Sequence, residues 1–188
     1  VNANDVITIT SDTDGAGSIR RYSYDRVGRP TSSSVDLPNK PGLPAGSLTL
    51  QRLTYDEDGN VVGQVDGERR YLRSTYDATD TLSSTVLDPS GVRRSTTFTR
   101  DVSGLVTKTV WSSPHGSEQA STTYDAFGRP TKQSTPAGGV LDYLATTAAY
   151  DQEGNRTATV DPRGNVAGAA PADHQTDYGY DELGRATT

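Results

Sequence analysis

The chain alternates between apolar and polar positions in short, imperfect stretches, and Thr and Ser fill many places on both sides of the alternation. Val106, Lys108 and Val110 fall on one face of an extended segment, and Thr107, Thr109 and Trp111 on the other. Tyr22 and Tyr24 are two residues apart and share a face, as do Tyr178 and Tyr180, and Phe98 with Arg100 occupies the same frame. No apolar run approaches the roughly 18 residues of a membrane span. The pattern predicts strands whose two faces contrast weakly. Such a sheet suits a wall wetted on both sides better than a close-packed sandwich.

The stretches are punctuated by a repeat. Tyr24-Asp25-Arg26-Val27-Gly28-Arg29 recurs from Tyr55, Asp56 and Gly59, from Tyr124, Asp125 and Gly128, from Tyr150, Asp151 and Gly154, and from Tyr180, Asp181 and Gly184. Two copies are worn: Tyr76-Asp77-Ala78-Thr79-Asp80 has Asp where Gly belongs, and Arg100-Asp101-Val102-Ser103-Gly104 has Arg in place of Tyr. The copies begin at 24, 55, 76, 100, 124, 150 and 180, at intervals of 31, 21, 24, 24, 26 and 30. Between them lie further turn signals: Asp12-Thr13-Asp14-Gly15, Asp88-Pro89-Ser90-Gly91, Asp161-Pro162-Arg163-Gly164, Asp66-Gly67, Pro114-His115-Gly116 and Pro136-Ala137-Gly138-Gly139. Each repeat therefore reads as strand, Tyr-Asp turn, strand, Gly/Pro turn, or two strands joined as a hairpin. Leu37 to Gly46 and Asn165 to Thr176 read as extended surface loops.

The turn has a mechanism. An Asp at its first position accepts a hydrogen bond from the backbone N–H two residues on, and a Gly at the fourth supplies the positive φ of a type I turn closed by a G1 bulge. The two middle positions are then free, and they vary freely. The Tyr ends the incoming strand and lays a large ring on the neighbouring hairpin. An Arg after the Gly has two partners within reach, a Tyr face or the Asp of the next repeat, and the sequence leaves both open.

The Tyr-Asp-x-x-Gly-[Arg/Asn] frame, from Asp12 to Arg185, resembles the RHS/YD-repeat family. That family includes bacterial Rhs polymorphic toxins, the BC components of insecticidal toxin complexes, wall-associated proteins and teneurin ectodomains. The resemblance implies an all-β fold of repeated antiparallel hairpins in a spiralling, curved sheet, an arc of a YD-repeat cocoon or solenoid. It implies one repeat array over residues 1–188, part of a larger protein, as the start at Val1-Asn2-Ala3 without Met also suggests. In the toxins the shell encloses an effector and ends in an autoprotease segment built around P-x-x-x-x-D-P-x-G-L. Neither D-P-x-G here fits: Asp88 has Ser83 five residues before it and Val92 after the Gly, and Asp161 has Arg156 and Asn165. Both read as turns.

Candidate chemistry is sparse. The two His, His115 and His174, sit in connecting segments without a nucleophile elbow or other catalytic frame. Asp12-Thr13-Asp14-Gly15 and Asp56-Glu57-Asp58-Gly59-Asn60 begin like calcium loops, yet the twelfth position holds Ser23 or Gly67 instead of a bidentate Glu. Asn155-Arg156-Thr157 matches a glycosylation sequon inside the repeat frame and carries no weight. Exposed Tyr and Trp111 are the candidates for stacking on sugar rings, and Trp111, the one Trp, is the best of them because the Tyr read as ladder residues between repeats. We therefore expect no catalytic residue, no cofactor and no metal.

Composition then sharpens the picture. Leu, Ile, Val and Phe supply 32 of 188 residues, too few for a dense core, while 26 Thr and ten Tyr favour strands. A net charge of −6 argues against a general nucleic-acid binder, and the absence of Cys excludes disulfides and thiol chemistry. The expected function is a structural segment of a secreted or cell-surface shell that encapsulates or presents an effector. The alternative is a carbohydrate-binding or adhesion module. Expected partners are flanking repeats of the same parent chain, an enclosed effector or a cell-surface glycan, with edge-to-edge self-association of open sheet edges.

Overall fold

The computed structural model describes residues 12–13, 19–37, 46–91, 93–137 and 143–187. Part of the first D-x-x-G turn, most of the Leu37–Gly46 connection and the Gly138-Gly139 turn lie outside these residues.

The described residues form antiparallel strands and two single-turn 3-10 helices. In order the strands are β1 (Asp12–Thr13), β2 (Ile19–Tyr24), β3 (Pro30–Leu37), β4 (Gly46–Tyr55), β5 (Val61–Asp66), β6 (Tyr71–Tyr76), β7 (Leu82–Leu87), β8 (Arg94–Arg100), β9 (Val106–Ser113), β10 (Gly116–Tyr124), β11 (Pro130–Pro136), β12 (Tyr143–Tyr150), β13 (Arg156–Val160) and β14 (Gln175–Asp177). The chain divides into two compact units, Val1–Ser95 and Thr96–Thr188, with the division inside β8. In the first unit β1 to β7 pair each with the next. In the second, β9 to β14 do the same. This all-β meander is the architecture that the alternation and turn signals predict.

The motif sets the strand limits. β2, β4, β6, β10 and β12 end on the motif Tyr, and the next strand begins two residues past the turn Gly or its substitute. At each of these Tyr the pairing register slips by one residue. Ser23 faces Ser32 while Tyr24 faces Pro30, so Thr31 is left as the extra residue of a bulge.

Burial differs between the faces without producing a core. Along β6, Leu72, Ser74 and Tyr76 are half-buried, whereas Tyr71, Arg73 and Thr75 are exposed. No apolar side chain among the described residues is fully buried. The two buried positions, Gly63 and Gly164, are glycines at crowded backbone sites. A Cβ on Gly63 would stand 2.3 Å from Thr54 Oγ1 and 3.2 Å from the ring of Tyr71, so β5 closes up because the aromatic ring covers a bare backbone.

One expected loop is ordered differently. Asn165 to Thr176 forms the end of one 3-10 helix (Pro162–Asn165), a second (Pro171–His174) and the start of β14. The Asn165 amide fixes the first of these, its Nδ2 donating to the carbonyls of Ala145, Val160 and Asp161 at 3.0–3.1 Å, and Asp161 N donates to His174 O at 3.0 Å at the end of the second. The Asp161-Pro162-Arg163-Gly164 turn is accordingly the capped start of a 3-10 helix and not a hairpin. Pro162 presets the first φ, and the Asp161 carboxylate accepts from Arg163 N at 2.8 Å.

Candidate functional site

The repeated turn is built by its Asp. Asp25 N donates to Arg29 O at 2.9 Å and Gly28 N to Asp25 O at 3.1 Å, which closes a three-residue loop. Asp25 Oδ1 accepts from Val27 N at 3.0 Å and Arg29 N at 2.9 Å, and Oδ2 accepts from Arg29 Nε at 2.6 Å. Asp125 holds Phe127, Arg129 and Arg129 Nε identically, and Asp181 does so for Leu183 and Arg185. Asp56 and Asp151 replace the guanidinium with the side-chain amides of Asn60 and Asn155. Asp77 and Asp101 keep the backbone bonds, to Thr79 and Thr81 and to Ser103 and Leu105. The turn glycines Gly28, Gly59, Gly104, Gly128, Gly154 and Gly184 have φ between 72° and 98°. In the worn copy Asp80 takes φ 58°.

These bonds set the charge of the carboxylates. Burial raises the pKa of Asp25, but the Arg29 side chain and the turn N–H groups outweigh it, and the result is lowered. Asp56, Asp125 and Asp151 behave alike, burial opposing the larger sum of hydrogen bonds. The Arg70 side chain is the largest influence lowering Asp66, the Arg185 backbone N–H that lowering Asp181, and the Arg163 side chain brings Asp161 to about 2.

Turns are joined to one another by Tyr and Arg. Five motif Tyr hydroxyls donate to the carbonyl two residues past the Gly of the preceding copy. Tyr55 reaches Pro30 O at 2.7 Å and Tyr76 reaches Val61 O at 3.1 Å. Tyr124 reaches Val106 O at 3.0 Å, Tyr150 Pro130 O at 3.0 Å and Tyr180 Arg156 O at 3.1 Å. Arg29 lies over the Tyr55 ring at 4.5 Å, and Arg129 over the Tyr150 ring at 4.8 Å. Arg129 Nη1 also donates to Asp151 O at 2.8 Å. The Arg thus stacks on the next Tyr, pairs with its own Asp, and meets the next Asp only through that residue's backbone carbonyl. Of the two partners left open by the sequence, the Tyr face is the one taken, and the carboxylate of the next Asp is not paired with the Arg.

Two features escape a reading of the sequence. Asp66-Gly67-Glu68-Arg69-Arg70 is a further copy of the turn, without the Tyr. Asp66 binds Glu68 N, Arg70 N and Arg70 Nε, and Arg69, not Gly67, takes the positive φ of 64°. The second feature is a hydroxyl three residues past the turn Gly or its substitute. Ser83, Thr107 and Thr131 donate to the carbonyls of Thr75, Thr99 and Thr123, each just before the motif Tyr or Arg. In the pairs of β6 with β7 and β10 with β11, the residue that carries this hydroxyl is the extra residue of the bulge. Thr31 and Thr157 fill the same place in sequence, a signal that was available.

The remaining candidates stand apart from this ladder. Trp111 lies within β9, is 41% exposed and faces Glu118 across the β9–β10 pair. His115 is at the exposed tip of that hairpin, its backbone N–H on Ser113 Oγ. His174 Nδ1 is 4.0 Å from Asp161 Oδ1, whose carboxylate Arg163 holds at 2.6 Å. Among the described residues no three His, Asp or Glu are grouped to hold a metal ion, and both carboxylate oxygens of Asp56 are taken by its own turn. No helix among the described residues is long and apolar enough to cross a membrane.

Antiparallel hairpins linked turn to turn within each unit make an RHS-like fold, the class to which the solved structures that match the chain belong. The crystal structure of TcdB2-TccC3-Cdc42 matches 94% of this chain with a TM-score of 0.69 and 17% identity, over 9% of that chain. The structure of the Photorhabdus luminescens Tc holotoxin pore matches 95% with a TM-score of 0.61 and 16% identity, over 11% of that chain. The chain therefore spans about a tenth of the length of the toxin chains it matches, and at this identity the likeness shows the fold alone. No family model and no curated protein matches the sequence.

Proposed function

We propose that the chain is a structural segment of a secreted or surface RHS/YD-repeat shell, whose role is to enclose or present an effector. The observation that carries this is the ladder. Asp, Arg and Tyr are spent on building each turn and fastening it to the next, and apolar burial is replaced by repeat-to-repeat bonds, as a thin wall requires. The likeness to stretches of Tc toxin structures supports the same reading. The role is mechanical, and catalysis is assigned to no residue. The partners are flanking repeats of the same parent chain and an enclosed effector. Imaging of the parent protein isolated whole tests this: the segment is expected in the wall of a closed shell with density inside. A parent in which both faces of the segment are open to solvent would overturn it.

One observation favours a second reading, a surface that binds carbohydrate. Trp111 is exposed beside Glu118, an aromatic platform next to a hydrogen-bonding carboxylate. A glycan array probed with the chain and with Trp111→Ala separates the two: binding that Trp111→Ala abolishes supports it, and an empty array removes it. Open strand edges also lead us to propose edge-to-edge self-association, read by sedimentation as concentration-dependent mass. A monodisperse monomer at all concentrations would refute it.

A further inference from the structure

A depression of about 370 Å³ lies in the first unit where β4 and β5 meet the Asp66 turn. Its lining includes the apolar residues Leu48 and Val65, the guanidinium-bearing Arg52 and Arg69, Thr49, and the acid Asp66. Arg52 and Val65 are directly paired across β4 and β5, so their side chains leave the same face of the sheet. Leu48 is two pairs of residues earlier on that strand and is 48% exposed. The charge here is unbalanced. The nearby acids are occupied, since Asp66 Oδ2 accepts from Arg70 Nε at 2.7 Å and Glu68 Oε2 meets Arg70 Nη1 at 3.2 Å. Arg52 and Arg69 form no ion pair with any described residue.

The backbone adds an independent observation. Arg69 occupies the turn position that Gly fills in six motif copies, and it does so at φ 64°, where a side chain is strained. Asp80 holds the same turn position at φ 58° in the worn copy, so two turns of the series carry a strained side chain there, and at Arg69 that residue lines the depression.

We infer that this depression binds a carboxylate carried on a short apolar body. Two guanidinium groups supply the fork geometry that carboxylates fit, and Leu48 and Val65 take the hydrocarbon. A free organic acid and the carboxyl end of a peptide share this chemistry. The test is a titration of the whole chain, followed through the Arg Nε–H and Leu and Val methyl resonances. Hexanoate represents the free acid and N-acetylleucine the peptide end. Hexanol and inorganic phosphate report the two halves of the ligand separately.

Saturable shifts at Arg52, Arg69, Leu48 and Val65 are expected with a carboxylate, and the tighter of the two carboxylates identifies the source. Hexanol and phosphate should bind at least about tenfold more weakly. Arg52→Gln should weaken binding about tenfold and Arg94→Gln, outside the depression, should leave it unchanged. Arg69→Gly is the sharpest variant, because it is expected to abolish saturation while making the fold more stable. Shifts that never saturate, phosphate equal to hexanoate, or unchanged binding by Arg69→Gly would each overturn the inference.

Discussion

Gly28→Ala and Arg69→Gly form a reciprocal pair that isolates the backbone cost of the repeat turn. Both positions are the fourth residue of an Asp-headed turn in the same unit, with φ 86° at Gly28 and 64° at Arg69. A Cβ on Gly28 would have nothing within 4 Å, so packing contributes nothing to the change. What remains is the left-handed conformation, which costs an L residue about 1–2 kcal/mol. Ala also restricts the unfolded chain and returns about 0.4–1 kcal/mol. Gly28→Ala should therefore destabilise by about 0.5–1 kcal/mol, the strain outweighing the entropy. Arg69→Gly reverses both signs and should stabilise by a similar ~0.5–1 kcal/mol, because the Arg69 side chain forms no ion pair to lose and its N–H bond to Asp66 O at 2.9 Å survives. Urea titration of both variants and the parent, followed by circular dichroism, gives the two shifts in midpoint. The slope should stay constant, since neither change alters the surface exposed on unfolding. If Arg69→Gly lowers the midpoint, or if Gly28→Ala leaves it unmoved, the Asp-headed turn does not draw its geometry from the fourth residue.

Tyr150→Phe keeps the ring under Arg129 and removes the bond to Pro130 O, so it should cost about 0.5–1.5 kcal/mol and speed hydrogen exchange at Asn155 N–H; unchanged exchange would deny the hydroxyl a role between repeats. Gly164→Ala should destabilise by about 1–3 kcal/mol, since its Cβ would stand 2.6 Å from Val160 Cγ1, 2.8 Å from His174 Cβ and 3.3 Å from Pro171 Cα; a parent-like urea midpoint would refute the crowding. Acid should unfold the chain through its turns. The carboxylates of Asp25, Asp56, Asp66, Asp125, Asp151, Asp161 and Asp181 are lowered in the fold, so their contribution is complete above the unfolded value near ~3.9. It is lost as pH falls through the folded values, the lowest at about 2 for Asp161. The urea midpoint should be flat above about pH 5 and fall below about pH 4, and a midpoint independent of pH down to 2 would contradict the assigned bonds.

The turns were legible because their chemistry is local. An Asp that binds N–H groups two and four residues on, and a Gly that must turn left-handed, act within five residues and leave the same letters at each copy. The Asp66 turn shows the limit of that legibility. Its Asp is in place, but Arg69 carries the positive φ, and Gly67 one residue after the Asp draws the eye to the wrong position. The course of Asn165 to Thr176 was illegible for another reason. An Ala- and Gly-rich stretch has no periodicity, and its order comes from partners outside it: the Asn165 amide reaches Ala145, twenty residues back, and His174 O accepts from Asp161 N. The rung between repeats lies between these cases. Tyr and Arg are visible at fixed places, yet which partner the Arg takes depends on the spacing of neighbouring turns in the sheet, a distance the sequence does not encode. The abundant Thr and Ser are resolved in the same way. As a pattern they blur the two faces of the sheet and suggest only a thin core. Where they fall three residues past the turn Gly or its substitute, Ser83, Thr107 and Thr131 each donate to a carbonyl of the facing strand. Some of the polarity that weakens the alternation is thus what allows a bulged strip to exist without a core. A Leu at those three positions would sharpen the pattern and remove the side-chain donor from each of those carbonyls.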